Sequence, residues 1–252
     1  MISDPRFYFL AVPVILLTGI SKSGFGGALG GLAVPLLSLA IPPAEAAAIM
    51  LPILCVMDVA GIRRFAGAFD WRNLRILLPG ALAGVAAGTL CFGLLNEGWL
   101  LLLVGAIGVG FPAMNWLGVA QRQAPAAVSV PRGAFWSALS GFTSFICHNG
   151  GAPLLVYLLP QRLERRLFVG TTVMFFFVVN YAKLVPYYFL GQLRLGNLST
   201  SAALLPLAPA GVYLGLWLQH RISNEMVYRT ATALLFATGW KLIWDGARML
   251  LR

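Results

Sequence analysis

The chain has 252 residues, of which 59% are hydrophobic and only 10% charged, whereas ordinary soluble domains carry about a quarter charged residues. So few charges cannot cover a soluble surface. The mean hydropathy of +0.83 points to an integral membrane protein and excludes disordered, collagen-like and disulfide-built chains. The formal charge of +10 reads as Arg-rich loops facing an anionic leaflet rather than as a nucleic-acid surface.

A helix needs about 20 apolar residues to cross the roughly 30 Å hydrocarbon core. Stretches of this kind run over 46–62, 74–95, 99–119, 167–190, 201–218 and 230–250, and these six read as plain crossings. Two further apolar regions are interrupted. Residues 7–41 are too many for one span and are broken by Ser21-Lys22-Ser23-Gly24-Phe25-Gly26-Gly27. Residues 133–159 are broken by Cys147-His148-Asn149-Gly150-Gly151-Ala152-Pro153. Gly and Pro runs break helices, and in lipid a broken backbone survives only against protein or a water-filled cavity. Both regions are therefore expected to be discontinuous or re-entrant. The stretch 7–20 is followed by the first break instead of a small-residue cleavage site, so it is read as retained rather than as a signal peptide.

The two halves resemble each other. Gly24-Phe25 leading to Pro35-Leu36-Leu37 recurs as Gly141-Phe142 leading to Pro153-Leu154-Leu155. At identical spacing, Gly67 to Asn73-Leu74 recurs as Gly191 to Asn197-Leu198, and Leu77-Leu78-Pro79 with Gly84-Val85 and Gly88 recurs as Leu204-Leu205-Pro206 with Gly211-Val212 and Gly215. Three matches in one order predict an internal repeat. Residues 1–252 then form a single transporter domain with a first repeat at 1–120, a polar linker at 121–132 and a second repeat at 133–252. With both breaks re-entrant, Arg6, Arg194, Arg248 and Arg252 lie on one side of the membrane and the other eleven Arg on the opposite side; with both crossing, the split is ten to five. The first arrangement fits the positive-inside rule slightly better and inverts one repeat relative to the other, as in many secondary transporters. The expected fold is thus all-α and polytopic, with two repeats each holding one broken segment and three crossings.

Only Lys22, Lys183 and Lys241 carry lysine charge, each in or beside an apolar run. Ionisable groups at membrane depth are costly and are functional candidates. Lys241, four residues before Asp245, reads as a structural ion pair. Lys183 reads either as an interfacial snorkelling side chain or as part of a pathway, with Pro186 ending or kinking its helix. Lys22 opens the first break, where backbone N–H groups at half-helix ends attract anions, and it too has a snorkelling alternative. His148 lies in the second break with Asn149, Gly150 and Gly151, either as chemistry or as a hydrogen-bonded structural group. Asp58 and Asn180 take similar places in the next element of each half. Asp58 could carry a proton, ligate a cation, pair with Lys22 or simply cap a helix end. Gly80, Gly84 and Gly88, like Gly211 and Gly215, recur at the four-residue spacing that lets helices approach closely, and read as packing. The Gly24 to Gly30 run lacks the Gly-Lys-Ser/Thr ending of a phosphate-binding loop.

Cys55, Cys91 and Cys147 lie in apolar runs without metal-ligand spacing and read as small buried hydrophobes. His148 and His220 are the only His residues, too few for a His-based metal site. No metal or other cofactor is expected. For catalysis, Ser140 with His148 is the sole local nucleophile–base candidate, and neither G-x-S-x-G nor HExxH occurs; the chain reads as a non-enzyme.

At these residues the sequence resembles the sulfite exporter TauE/SafE family of membrane transporters. The resemblance rests on Lys22-Ser23-Gly24-Phe25-Gly26-Gly27, Val34-Pro35-Leu36-Leu37, Leu51-Pro52 with Asp58, and Asp70-Trp71-Arg72 before Leu78-Pro79-Gly80. In the second half it rests on Gly141-Phe142, His148 with Gly150-Gly151-Ala152-Pro153, Tyr157-Leu158-Leu159-Pro160 and Val169-Gly170-Thr171-Thr172. It implies a multi-pass inner-membrane carrier of about eight segments that moves sulfite, sulfonates or other organic anions. On that expectation the two breaks meet near the midplane. Lys22 with Gly24, Gly26 and Gly27, and His148 with Asn149, Gly150 and Gly151, hold the anionic head, flanked by Asp58 and Asn180. The partners expected are a small anion and membrane lipid, with no nucleic acid; monomer and homodimer both remain open. The alternative is a non-transporting membrane scaffold or accessory subunit.

Overall fold

The computed structural model describes residues 2, 4–24, 30–118, 126–218 and 224–251, and every regular element among them is helical. In chain order these are α1 (Pro5–Gly24), α2 (Ala33–Leu37) after a 3-10 turn at Gly30–Leu32, α3 (Pro43–Arg64), α4 (Trp71–Leu94) and α5 (Glu97–Trp116). They continue as α6 (Val130–Cys147), α7 (Gly151–Leu158) with a 3-10 turn at Leu159–Gln161, α8 (Arg165–Phe189), α9 (Leu195–Leu204), α10 (Leu207–Leu218) and α11 (Asn224–Leu250).

Local chemistry sets several of these boundaries. Pro43 opens α3, where a missing N–H costs nothing because the first-turn N–H groups have no helical partner. Asp70 caps α4, its carboxylate accepting from the Arg72 and Asn73 N–H groups at 3.0 and 3.3 Å. Gly67 and Gly191, in the turns after α3 and α8, take φ of +79° and +65°, a left-handed backbone that glycine adopts without a Cβ penalty.

α3, α4, α8 and residues Glu97–Met114 of α5 are long and apolar enough to cross a membrane. The expected crossing over 201–218 is instead a bent pair: α9 and α10 meet at 42° across Leu205-Pro206 and supply a fifth span if taken together. Proline accounts for the break, since Pro206 has no N–H to return to the preceding turn. The stretch 230–250 lies within α11, which falls outside the apolar group and carries Lys241, Asp245 and Arg248 near its end. Pro186 does not end α8, which continues to Phe189.

The exterior is what lipid demands. Phe9, Leu90, Phe189 and Leu195 are all strongly exposed, a surface that would aggregate in water. Trp71, Trp99, Trp116, Trp217, Trp240 and Trp244 are exposed too, most of them near helix ends, as aromatic belts at the two interfaces require. Cys91 faces outward while Cys55 and Cys147 are buried, so the expectation of three buried thiols fails at Cys91. Apolar sequence marks a membrane segment but not which of its faces meets lipid.

The helices pack chiefly as α4 on α6, α1 on α10, α5 on α11 and α3 on α8. Small residues make these approaches close. A Cβ on Gly84 would overlap the Ala138 carbonyl, and one on Gly88 would lie 2.8 Å from the Phe145 Cβ. A Cβ on Gly19 would stand 2.7 Å from the Gly211 backbone, and one on Gly239 2.8 Å from the Val109 nitrogen. In a lipid solvent such contacts, rather than a hydrophobic drive, hold helices together. α3 is the most enclosed span: Ala46, Ala47, Ala48, Ile49, Met50 and Leu51 are all fully buried. It lies against α8, and the polar residues of the interior gather along this central pair.

Candidate functional site

The second break is resolved throughout. α6 ends at Cys147, and His148 caps it in the left-handed conformation, φ 55° and ψ 21°. That backbone costs a non-glycine residue roughly 1–2 kcal/mol and persists only where surroundings over-determine it. Here they do. The His148 N–H reaches the Ser144 carbonyl at 3.1 Å and the Asn149 N–H reaches the Thr143 carbonyl at 3.3 Å. Hydroxyls of α6 serve the break's own carbonyls: Thr143 Oγ1 donates to Asn149 O at 3.0 Å, and Ser140 Oγ donates to Gly150 O at 2.6 Å. α7 then restarts at Gly151. The interrupted backbone is thus satisfied from within the protein, as membrane depth requires.

The His148 ring is held at both nitrogens. Nε2 lies 2.9 Å from the Ala47 carbonyl on α3 and Nδ1 lies 2.8 Å from the Lys183 ammonium. A carbonyl only accepts, so Nε2 carries the proton and Nδ1 accepts from Lys183. Lys183 also donates to Ser144 O at 2.9 Å and to Ser144 Oγ at 3.0 Å. Its side chain is fully buried. The snorkelling alternative is therefore wrong for Lys183. Ser140 does not bond His148, so the serine–histidine pair considered for catalysis is not assembled.

The second polar group joins α1, α3 and α8. Lys22, 12% exposed, pairs with Asp58 Oδ1, and the Asn180 amide donates to Asp58 Oδ2. Asp58 is 3% exposed. Pairing with Lys22 is one of the roles open to Asp58 in the sequence, and the structure shows it. Asn180 and Lys183 stand three residues apart on α8, so one helix carries a member of each group.

Asn149 is 1% exposed, and neither Nδ2 nor Oδ1 of its amide has a hydrogen-bond partner among the described residues. Its side chain abuts the described chain that follows the first break: a Cβ on Gly31, in the turn leading to α2, would overlap the Asn149 amide. Asn149 of the second break therefore lies against the turn that precedes α2. Buried amides are almost always satisfied, so an amide without a partner among the described residues is unusual here. Gly24 ends α1 beside Lys22, while Gly26 and Gly27 lie outside the described residues.

Sequence reasoning left Lys183 open between an interface and a pathway, and it missed Ser144. The signal for Lys183 was present, as one of three lysines in apolar runs, but spacing alone does not separate an interfacial cation from a buried one. Ser144 had no signal of its own. Among the described residues, no cluster of His, Cys, Asp and Glu forms that would hold a metal ion. A cavity of about 530 Å³ between α3 and α10 is lined by Val56, Val59, Ala60, Pro209, Val212 and Tyr213, with Arg63 and Arg64 at its edge. It includes none of the polar residues above. Lys241 and Asp245 form their exposed i,i+4 pair at 2.6 Å.

The family model described as "Sulfite exporter TauE/SafE" matches residues 11–242. No curated protein and no solved structure matches the chain. The match spans both breaks, both polar groups and the helices that carry them, in a multi-pass membrane protein. The chain belongs to the sulfite exporter TauE/SafE family, a family of membrane transporters of sulfur anions such as sulfite.

Proposed function

We propose that the protein carries a small sulfur-containing or organic anion, sulfite or a sulfonate, across the inner membrane, and that the anion binds where the two breaks meet. The observation that carries this reading is the Asn149 amide, buried against Gly31 without a partner among the described residues and next in the chain to His148, whose ring is bonded to Lys183. Lys22 and Lys183 supply positive charge, and Asn149 offers a donor and an acceptor in a dry setting where such groups act strongly. Asp58 and Asn180 hold Lys22 in place.

Two features support a repeat architecture for this carrier. The helix pairings are reciprocal: α1 of the first half packs on α10 of the second, and α6 of the second half packs on α4 of the first. The repeated glycines Gly67 and Gly191 also share a left-handed backbone after corresponding helices. Rocking of one repeat against the other would then alternate access to a site held between them.

Uptake into proteoliposomes tests the reading, with sulfite and a panel of sulfonates and carboxylates offered to purified protein. Saturable flux of at least one anion, strongly reduced in Lys22→Ala and His148→Ala, is the expected result. Full flux in both variants, with protein correctly inserted, would remove the site assignment. No flux for any anion, with or without a pH gradient, would remove the carrier assignment.

A further inference from the structure

The cavity between α3 and α10 stands apart from the polar groups above, and its two ends differ in chemistry. α3 lends it Val56, Val59, Ala60 and Arg63, and α10 lends Pro209, Val212 and Tyr213. Each set recurs at three and four residues, so each is one stripe of its helix, and the two stripes form the walls of a groove. Val56 is 39% and Tyr213 70% exposed, so the groove opens on the outer surface of the bundle rather than into its core. α3 is long and apolar enough to cross a membrane, and that surface therefore meets lipid. The volume of about 530 Å³ falls within the roughly 300–1,000 Å³ of ligand sites.

Arg63 and Arg64 lie in the last turn of α3, and both are exposed. The turn beyond them leads to α4, where exposed Trp71 marks the membrane–water interface. From Arg64 back to Val56 the α3 axis runs about 12 Å, at about 1.5 Å per residue, close to half of the roughly 30 Å hydrocarbon core. The groove thus has a cationic mouth at headgroup level and apolar walls that descend along one leaflet. Among the described residues no carboxylate lines it, and neither arginine enters an ion pair. The acids nearest in sequence are bonded elsewhere, Asp58 to Lys22 and Asn180 and Asp70 to Arg72 and Asn73.

We infer that this groove binds an anionic phospholipid, with its phosphate on Arg63 and Arg64 and one acyl chain laid between α3 and α10. The guanidinium fork matches phosphate oxygens in pairs, and basic pockets between membrane helices take anionic headgroups. A zwitterionic lipid brings an ammonium group for which the groove holds no acid. A free phosphate would occupy the mouth and leave the apolar walls uncovered, so the lipid is the occupant that answers to both ends. The inference does not depend on the anion-carrier reading.

The test titrates purified protein in a nonionic detergent with phosphatidylglycerol and, separately, with phosphatidylcholine of the same acyl chains, and counts bound lipid by native mass spectrometry. One phosphatidylglycerol is expected to bind at least about fivefold more tightly than phosphatidylcholine. Each arginine is expected to contribute about fivefold, so Arg63→Gln with Arg64→Gln should weaken phosphatidylglycerol about thirtyfold. Val59→Phe fills the groove, leaves both arginines and should also weaken it, while excess glycerol 3-phosphate displaces none. Equal binding of the two lipids would overturn the inference, and that comparison needs no variant to fold. Unchanged binding in the double arginine variant, displacement by glycerol 3-phosphate, or a dimer that excludes phosphatidylglycerol would overturn it as well. The carrier reading is untouched by any of these results, because anion uptake tests it separately.

Discussion

The Lys22–Asp58–Asn180 group allows a stability argument with a definite sign. Asp58 is 3% and Lys22 12% exposed, so both charges are largely withdrawn from water. Removing one partner of such a pair strands the other, a loss of about 3–5 kcal/mol. Asp58→Leu strands the Lys22 ammonium and frees the Asn180 amide; Lys22→Met leaves the Asp58 carboxylate with Asn180 alone. Simple addition would make the double variant about 6–10 kcal/mol less stable. Buried ion pairs replaced entirely by apolar side chains are often neutral or better, so Lys22→Met with Asp58→Leu is expected within about 2 kcal/mol of the parent protein. The assay is unfolding of detergent-solubilised protein for the four members of the cycle, with uptake measured in parallel. Stability should recover in the double variant while transport stays lost, because the site is then without one of its cations. A double variant destabilised by the full sum would show that the two side chains do not form the pair seen here. Single variants with unchanged stability would show that the pair is not buried in the membrane protein.

Three further outcomes follow from packing and backbone. Gly84→Ala places a Cβ on the Ala138 carbonyl and should destabilise by about 1–3 kcal/mol through forced separation of α4 and α6, read as a fall in thermal unfolding temperature. Gly67→Ala meets no neighbouring atom within 4 Å but sits at φ +79°, so its loss should be about 1 kcal/mol from backbone strain alone, measured in the same assay. Lys241→Ala removes an exposed i,i+4 pair whose lysine side chain is 56% exposed and should change stability by no more than about 0.5 kcal/mol, with uptake unchanged.

What the sequence disclosed, and what it withheld, divides along physical lines. The second break was legible because Gly150-Gly151 and Pro153 interrupt an apolar run, and the backbone does interrupt there, between Cys147 and Gly151. The fifth span was misread because the same Leu-Leu-Pro triplet behaves differently in two helices. In α4, Pro79 is accommodated within one helix that packs on α6. In the second half the segment before Pro206 packs on α3, whereas the segment after it packs on α3 and chiefly on α1, so only the second part answers to α1 and the two bend apart. Removal of one hydrogen bond permits a bend; tertiary packing decides whether it occurs. The charge cluster was legible in composition but not in connectivity. Apolar context identified Lys22, Asp58, His148 and Asn180 as groups needing an explanation. Which of them touch depends on α3 and α8 lying side by side, a contact between residues as far apart as Asp58 and Asn180 that no local pattern encodes.

That side-by-side placement explains how one site can be built and also disturbed. α3 supplies Asp58 to one polar group and the Ala47 carbonyl to the other. α8 supplies Asn180 to the first and Lys183 to the second. The α3–α8 pair is thus a common spine, and the broken segments dock on it through polar contacts: α1 through Lys22, and α6 with its break through Ser144 and His148. Those polar contacts are few, while the largest packing contacts of α1 and α6 go to α10 and α4 through tight glycine seams. A rigid displacement of α1 with α10, or of α6 with α4, would leave the seams intact and act on the polar contacts to the spine together with the packing of α10 on α3 and of α4 on α8. On the proposed function, an anion arriving at Lys183 would compete for the same ammonium protons that hold Ser144 and His148. Binding would then exchange one set of contacts for another instead of adding to them, so the ligand would have different affinities with those contacts made and with them broken. Such a difference is the one condition under which a bound substrate can shift a conformational equilibrium.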